Sequence, residues 1–236
     1  MGLSASVKAK LLWRSFFIQG AWNFKGMQNL GFVYAMIIGL KKIHAENPGE
    51  SIARHLQFFN THPYLAPTMM GVDLKLEEEQ QYDLIKQIRP TISGSLAAIG
   101  DIFFWSTLKP ILSLLFIIAI ITDQIWGIIL ALVAYNIIHV WVMNWGFNQG
   151  YSRGPEAALG LGKVISTRRI QRITYIIPLL CGMVMYLISS WNGANMNLLT
   201  FLALFVICLG AGKLKISIFW IFYGVFTLLL VWAIIR

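Results

Sequence analysis

The sequence predicts an all-α, polytopic integral membrane protein with re-entrant or broken helices and an amphipathic N-terminal arm. The 236-residue chain is 57% hydrophobic and only 12% charged, with a mean hydropathy of +0.66, whereas soluble domains carry about twice that charged fraction. Several apolar runs approach the roughly 20 residues that a helix needs to cross a bilayer. Prolines and polar residues interrupt other apolar runs, which indicates helices that break within the protein.

Three parts follow one another along the chain. Residues 1–50 hold the arm and a short apolar segment, and residues 51–110 hold the broken or re-entrant segments that form the candidate substrate path. Residues 111–236 hold the transmembrane helices, with a basic loop over residues 144–172.

The first part begins with an amphipathic pattern. Leu11–Met27 is apolar on one side and polar on the other, which predicts a helix lying in the membrane interface or packed against the rest of the protein. Gly31–Leu40 is apolar but too short to span a bilayer. Ser51 follows a polar turn and is a predicted N-cap for a short helix through Phe59.

The second part is organised around Arg54–Gln80, an apolar stretch interrupted by Pro63 and Pro67. Each proline removes a backbone donor and disfavours continuous α-helix, and Gly71 offers a further hinge. Broken backbone at membrane depth is tolerated only where it is buried in protein or lines a water-filled cavity. The polar triplet Asn60 to His62 inside this break is therefore the first place to expect a ligand.

The second part ends with an apolar segment that holds one charge. Gln80–Arg89 is polar and predicts a helix or loop on an aqueous side, ending before Pro90. Thr91–Thr107 is apolar apart from Asp101. A carboxylate within a membrane usually faces a cavity or a partner, because exposing it to lipid is costly. Asp101 could instead cap a helix at the membrane surface.

The third part contains the conventional membrane segments. We predict a short or re-entrant leg, Ile111–Ile121, which Thr122 to Gln124 separate from a full span, Ile125–Met143. Three further segments follow: Ile173–Ser190, Leu198–Gly212 and Ile216–Ile235. The loop over residues 144–172 is basic, residues 191–197 carry no charge, and residues 212–216 carry two lysines. The positive-inside rule places the first and third of these loops in the cytoplasm and the second outside, leaving Arg236 on the outer side.

Charge and motifs exclude several functions. The formal charge of +9 comes from basic residues between apolar runs, which is typical of cytoplasmic loops and does not indicate nucleic-acid binding. Cys181 and Cys208 lie within apolar runs and are predicted to be packing thiols. The sequence contains no phosphate-binding loop, zinc motif or nucleophile elbow, so we predict no catalytic residue, cofactor or metal in this chain. His139 follows Asn136 by three residues, so both lie on one helix face. The pair could form a polar lining or make hydrogen bonds to neighbouring helices.

Four blocks in a fixed order then resemble one family. They are RSFFIQGAWNFKGMQNLGF (14–32), RHLQFFNTHPYLAPTMMGVDLKLEEE (54–79), IGDIFFWSTLKP (99–110) and YNIIHVWVMNWGFNQGYSRG (135–154). The third is similar to the family element G-D-P-x-F-W-x-T-x-x-P, and the fourth to its F-N…Y-G…G-Y-S-K/R-G element. Together they resemble the IID membrane subunit of the mannose/fructose/sorbose-type bacterial phosphotransferase system.

This resemblance implies one half of a sugar permease. Such a subunit is expected to pair with a IIC subunit in the lipid of the bacterial cytoplasmic membrane, as a multi-pass protein, and to move a hexose inward. Cytoplasmic IIA and IIB subunits relay the phosphate, and the phosphohistidine of IIB phosphorylates the sugar, so the phosphoryl-transfer residues lie on other chains. We expect several IIC-IID pairs in a higher oligomer.

The chain also departs from the family pattern. Ile102 stands where the family element has proline, and the preceding ISGSLAAIGD differs from the usual M-G-P-L-A-G-x-G-D. The polar connection of residues 80–90 and the uncharged loop of residues 191–197 are shorter than usual. The alternative is therefore a divergent structural or regulatory membrane subunit without transport activity of its own. An intramembrane enzyme would need a nucleophile or metal site, which the sequence does not provide.

A hexose site needs amides, carboxylates and an aromatic face at fixed spacing. The candidates for substrate binding are Asn60, His62, Glu77 and Asp101. Each has a structural alternative: Asn60 could satisfy backbone groups freed by the nearby proline, Glu77 could lie on a solvated helix face, and Asp101 could pair with a basic residue of IIC. Four glycines are instead predicted to allow close helix packing and hinging: Gly94, Gly100, Gly146 and Gly150.

Overall fold

Every described secondary-structure element longer than an isolated bridge is a helix. The computed structural model describes residues 2–157 and 166–191, together with residues 160, 206, 210 and 227. In chain order the helices are α1 (Ala5–Ser15), α2 (Asn29–Ile43), α3 (Gly49–His55), α4 (Ala66–Glu78), α5 (Tyr82–Gly100), α6 (Lys109–Ile121), α7 (Ile125–Arg153), α8 (Thr167–Thr174) and α9 (Ile176–Trp191). A π-helical stretch, Asp101–Leu108, joins α5 to α6.

The chain forms two compact units. The first comprises residues 1–109 and 132–171, and the second comprises residues 110–131 and 172–236. The first unit holds α1 to α5, the π-helical stretch and most of α7. It therefore contains all four candidate site residues.

Three of the described helices are long and apolar enough to cross a membrane, judged by length and composition. They are Tyr82–Ile121 with 40 residues, Ile125–Arg153 with 29 and Arg168–Ile188 with 21. The predicted all-α membrane class is confirmed, and the predicted spans beginning at Ile125 and Ile173 fall in the last two helices. The predicted segments Leu198–Gly212 and Ile216–Ile235, and the loops on either side of the first of them, lie outside the described residues.

The core of the first unit is built on α2 and α4. α2 has 15 residues, and it buries large side chains such as Phe32 and Met36. At 1.5 Å per residue it is shorter than the roughly 30 Å hydrocarbon layer, as the sequence predicts. α4 buries nearly its whole surface, including Leu74. A helix buried on all sides is a packing element of the core.

Close packing of α4 on α7 depends on glycines in both helices. A Cβ atom added at Gly150 or Gly146 would collide with Thr68 of α4, and one added at Gly71 would collide with the backbone at Phe147. The predicted packing role of Gly146 and Gly150 is confirmed. The predicted hinge at Gly71 is wrong, because this residue lies inside α4, where the missing side chain lets the two backbones approach.

The N-terminal arm differs from its prediction. α1 ends at Ser15, so the predicted amphipathic helix over Leu11–Met27 is wrong beyond that residue. Residues 16–21 form tighter turns, and the Asn23 side-chain Oδ1 then accepts a hydrogen bond from the Gly26 backbone at 2.8 Å. Met27 adopts a φ of +55° and forms an antiparallel bridge with Asn23. These local bonds compete with helix and favour a turn.

The short helix before the break also begins elsewhere than predicted. α3 starts at Gly49, directly after Pro48, and Ser51 lies inside it. The Ser51 hydroxyl donates to the Pro48 carbonyl at 2.8 Å, so Ser51 is not the predicted N-cap. The helix ends at His55, four residues before the predicted end at Phe59. The backbone beyond it bonds to neighbouring segments of the chain.

The long helix Tyr82–Ile121 merges segments that the sequence separates. Pro90 lies inside α5, so the predicted end of a polar helix before it is wrong. Residues 111–121 are the end of this helix, and the predicted separate leg is wrong. Asp101 is inside the helix, at the start of the π-helical stretch, so the alternative of a cap at a helix end is wrong too. Pro90 has no backbone N–H, so the helix lacks one backbone hydrogen bond at this residue. The helix continues because the residues on both sides keep their own helical hydrogen bonds.

The predicted turn between the first two long helices is confirmed. Asp123 has a φ of +57°, and the Gln124 backbone donates to the Ala119 carbonyl at 2.7 Å. This bond closes the C-terminus of α6 and turns the chain into α7.

Substitution Gly150→Ala tests the α4–α7 contact. The added methyl would meet the Thr68 carbonyl, and overpacking of this kind costs about 1–3 kcal/mol. We expect a lower midpoint of thermal unfolding for the purified protein in detergent. Gly94→Ala is the matched control, because a Cβ there meets nothing within 4 Å. Equal midpoints for the two variants would show that the close contact is not important.

Candidate functional site

The candidate site is built around the broken segment, residues 56–65, which runs without helix between α3 and α4. Its backbone is held at the turn just before α2. The Gln28 backbone donates to the Phe59 carbonyl at 2.9 Å, and Phe59 donates to Gly26 at 3.2 Å. The Gln28 side chain then accepts from the Thr61 backbone at 3.1 Å. The polar groups that the lost helix leaves open therefore find partners inside the protein.

The second half of the broken segment lies along α5. The Thr61 hydroxyl donates to the Ser93 carbonyl at 3.0 Å. His62 is buried, and a Cβ atom added at Gly100 would collide with its side chain. The predicted close packing at Gly100 is thus confirmed: a side chain lies against its bare backbone.

His62 is enclosed by aromatic rings. Its imidazole stacks on Phe104 with centroids 5.0 Å apart and meets Tyr64 and Trp105 edge-on. Nδ1 accepts from the Tyr64 backbone at 3.3 Å, which leaves Nε2 as the protonated nitrogen, buried and without a partner among the described residues. Burial, with repulsion from the charges of Lys109 and His139, lowers the pKa of His62 from 6.5 to about 4. The ring is therefore neutral at physiological pH.

A cavity that we call the aromatic pocket opens beside the broken segment, with a volume of about 290 Å³. Its lining comes from four separate stretches of the chain: Ser15, Phe16, Ile18, Gln19, Pro63, Tyr64, Trp105, Lys109, His139 and Met143. Tyr64 stacks on His139 with centroids 3.6 Å apart. The Lys109 ammonium lies 4.3 Å from the centre of the Trp105 ring. Aromatic faces beside an amide, an ammonium and an imidazole suit a small neutral molecule with several hydroxyl groups.

A second polar group, which we call the ion cluster, lies at the other end of the broken segment. Glu77 of α4 is its centre and has no exposed side-chain surface. Arg54 donates to Oε1 at 2.6 Å, His55 Nε2 lies 2.9 Å from the same oxygen, and His44 Nε2 lies 2.8 Å from Oε2. One carboxylate thus ties α4 to the end of α2 and to α3.

Asp73, one turn earlier on α4, extends the ion cluster to α5. Its Oδ2 lies 3.2 Å from His55 Nδ1 and 3.5 Å from Arg89 Nε. Arg89 also donates to the backbone carbonyls of Arg54 at 3.5 Å and His55 at 3.3 Å. His55 has a carboxylate oxygen within 3.2 Å of each ring nitrogen, and this arrangement favours the doubly protonated imidazolium.

The pKa values of the ion cluster reflect these contacts. Burial raises the pKa of Glu77, but the hydrogen bonds from His55, Arg54 and His44 outweigh it and lower the pKa from 4.5 to about 2. Burial alone lowers the pKa of His55, yet its bonds to Asp73 and Glu77 raise it above 6.5. Glu77 is therefore ionised and His55 is stabilised as the imidazolium.

The structure separates the four predicted site residues. Asn60 is exposed on the broken segment, and Asp101 is exposed on the helix, next to the Gly100 that His62 packs against. His62 and Asp101 thus both lie at the junction between α5 and the π-helical stretch. Glu77 lies in the ion cluster, which excludes the alternative of a solvated helix face for this residue. None of the four lines the aromatic pocket.

Sequence reasoning missed most residues of both groups. Tyr64, Trp105 and Lys109 lie in quoted sequence blocks, and a lysine beside an apolar run was a usable signal. The predicted shared lining of Asn136 and His139 is wrong: Asn136 is exposed and donates to its own helix, whereas His139 faces the aromatic pocket. In the described part of the chain, no three His, Cys, Asp or Glu side chains are arranged to hold a metal ion.

Comparisons with known proteins point to one family. The family described as "PTS system mannose/fructose/sorbose family IID component" matches residues 3–198. The chain is 31% identical over 195 residues to the mannose-specific EIID component of Escherichia coli strain K12, covering 78% of this chain and 68% of that protein. It is 33% identical over 193 residues to the fructose permease IID component of Bacillus subtilis strain 168, covering 77% and 68%.

Solved structures agree with the sequence matches. A chain of the cryo-EM structure of the mannose transporter ManYZ with microcin E492 aligns at a TM-score of 0.61 and 27% identity, over 98% of this chain and 96% of that one. A chain described as a membrane protein aligns at a TM-score of 0.67 and 25% identity, over 98% and 97%.

The importance of the ion cluster can be tested with Glu77→Gln. Removing this charge leaves Arg54 and His55 without their main partner, and breaking a buried ion pair costs about 3–5 kcal/mol. We expect a strongly reduced thermal midpoint in detergent. Glu79→Gln, which removes a partly exposed partner of Lys75, should leave the midpoint almost unchanged. A Glu77→Gln midpoint equal to that of the Glu79 variant would contradict the assignment.

The raised pKa of His55 predicts a pH effect on stability. A group whose folded-state pKa is raised stabilises fully below its ordinary pKa of 6.5 and loses that contribution as the pH rises through the raised value. We expect the free energy of unfolding of the wild type to fall between mildly acidic and alkaline pH. His55→Gln should be less stable at acidic pH and should show a flatter profile. A parallel profile in both proteins would refute the prediction.

Proposed function

Because this chain belongs to the mannose/fructose/sorbose family of phosphotransferase-system IID components, we propose that it carries a hexose across the bacterial cytoplasmic membrane together with a IIC subunit. The chain is a membrane subunit of a sugar permease, and the three long apolar helices of its described part are consistent with that role. The similarity to a chain of the mannose transporter ManYZ implies the IIC partner.

The observation that supports a sugar-contacting role most is the aromatic pocket. Its volume of about 290 Å³ is near the lower end of small-ligand sites, which begin at about 300 Å³. Trp105 offers a flat ring to the apolar face of a sugar, while Gln19 and Lys109 offer donors to hydroxyl groups. The broken segment supplies Tyr64, so the break in the helix is what opens this wall.

The four sequence-predicted residues divide into two proposed roles. Asn60, His62 and Asp101 remain proposed polar contacts on the transport path. The unpartnered Nε2 of His62 is the strongest of them, because a buried donor gains most from a new acceptor. Glu77 is proposed to position the broken segment, since both of its oxygens already bind protein groups.

Phosphorylation is proposed to occur on other subunits. The IIA and IIB subunits relay the phosphoryl group, and IIB passes it to the hexose as the sugar reaches the cytoplasmic side. This chain then contributes to binding and passage, in a higher oligomer of IIC-IID pairs. A structural or regulatory subunit without transport activity is the competing outcome of the following tests.

Trp105→Ala tests the aromatic pocket. In cells that lack their own mannose-type permease and are supplied with this chain, its IIC partner, IIA and IIB, we expect hexose uptake to fall at least about tenfold, equivalent to about 1.4 kcal/mol of lost interaction. Trp126→Ala is the matched control, because Trp126 is 75% exposed and does not line the pocket. Normal uptake by the Trp105 variant in an assembled complex would remove the pocket from the path.

Asn60→Ala and Asp101→Asn test the predicted polar contacts in the same cells. Both side chains are exposed in this chain, so we expect assembly with IIC to be retained while uptake falls. Pull-down of IIC measures assembly separately from transport. If the assembled wild type moves no sugar from a panel of hexoses and amino sugars, the regulatory alternative is favoured.

A further inference from the structure

A second cavity, which we call the basic cleft, is lined by the start of the broken segment, whereas the aromatic pocket is lined by its end. It has a volume of about 340 Å³ and is lined by Arg54, Gln57, Phe58, Ile85, Lys86, Arg89 and Pro90. We propose that the basic cleft binds the phosphate group of an anionic ligand, either a phospholipid headgroup or a soluble phosphate ester. The proposal does not depend on which sugar is carried.

The first argument is the charge balance of the ion cluster behind the basic cleft. Three cations, Arg54, His55 and Arg89, face only two carboxylates, Asp73 and Glu77. His55 counts as a cation because its two ring nitrogens lie 2.9 and 3.2 Å from carboxylate oxygens, and an unprotonated nitrogen would direct its lone pair at one of them. A buried excess positive charge is costly unless an anion compensates it.

The second argument is that two of these three cations line the basic cleft. Of the three cations, Arg54 and Arg89 form part of the lining, whereas His55 is fully enclosed. Both guanidinium groups are fixed in place: Arg54 lies 4.0 Å over the Tyr82 ring, and Arg89 donates to two backbone carbonyls. A rigid guanidinium is a good phosphate ligand because little entropy is lost on binding.

Lys86 adds a third positive charge at the rim. It lies on α5 three residues before Arg89, so both side chains project from one face of the helix. Its ammonium lies 3.6 Å from Asp83, but the Asp83 side chain is 92% exposed, so water screens this pair strongly. No lining residue is acidic, and the Gln57 amide adds a neutral donor. The lining thus matches an anion with several acceptor oxygens.

The third argument is the position of the basic cleft at one end of a long apolar helix. Lys86, Arg89 and Pro90 lie in the first turns of Tyr82–Ile121, where a membrane helix meets the headgroup layer. Glu78, at the end of α4, accepts from Tyr151 near the end of α7, so this end of the unit adjoins the start of the basic loop. By the positive-inside rule this is the cytoplasmic side, where anionic lipids are enriched.

The apolar part of the lining fits the rest of such a ligand. Phe58 is largely exposed, and Ile85 and Pro90 stand beside the basic residues. Phe58 and Pro90, which are both exposed, offer a surface to the glycerol or acyl carbons of a lipid, or to the carbon skeleton of a phosphate ester. Charge and apolar contact are therefore combined in one cleft.

The test uses the full chain purified with its IIC partner. In one arm, the complex is placed in phosphatidylcholine nanodiscs with a minor fraction of phosphatidylglycerol, and native mass spectrometry measures the retained phosphatidylglycerol. In the other arm, delipidated complex in detergent is titrated with inorganic phosphate and with a hexose phosphate, and the thermal midpoint is measured. The first arm reports a lipid source and the second a soluble source.

Lys86→Gln is the informative variant, because its side chain is 66% exposed and its loss does not disturb the core. We expect at least fivefold weaker binding in whichever arm the wild type responds, and a similar loss for Gln57→Ala. Lys10→Gln, an exposed lysine of α1 away from the basic cleft, should bind as the wild type does. Wild-type-like binding by Lys86→Gln and Gln57→Ala in both arms, or no wild-type response in either, would overturn the proposal.

Discussion

The first unit depends on two carboxylates of α4, Asp73 and Glu77, which have no exposed side-chain surface. Between them they bind side chains from the end of α2, from α3 and from α5. A buried charge left without a partner is far more costly than a lost surface pair, so each of these helices is held in one position. The broken segment runs between two of these fixed helices, and its irregular backbone is stable because its ends cannot move apart.

The same arrangement explains how an irregular backbone can serve a membrane protein. Phe59 and Thr61 bond to the turn before α2 and to α5, so the break leaves few open polar groups in the backbone. The break also places side chains of this segment, among them Tyr64, along the wall of the aromatic pocket. A regular helix over these residues would project its side chains in a repeating pattern and would not place Pro63 and Tyr64 together on one cavity.

Composition and apolar run length were enough to predict the membrane class and the long helices Ile125–Arg153 and Arg168–Ile188, because hydropathy acts locally along the chain. Pro63 likewise predicted the break before α4. The ion cluster was not predictable in the same way, since Glu77 binds residues 22, 23 and 33 positions earlier in the sequence. The aromatic pocket joins four distant stretches of the chain. These features arise from tertiary contacts that periodicity does not record.

The order of the ion cluster along the chain also bears on membrane insertion. A ribosome completes α4, with Asp73 and Glu77, before it makes Arg89 of α5. Arg89 lies in the first turns of Tyr82–Ile121, where an unpaired arginine costs less than the roughly 2.5–3.5 kcal/mol that it costs at the centre of a membrane helix. Here its carboxylate partner has already been synthesised, only 16 residues upstream by sequence numbering. The charge can be neutralised as soon as the nascent helix emerges, so a basic residue in this helix is compatible with its insertion.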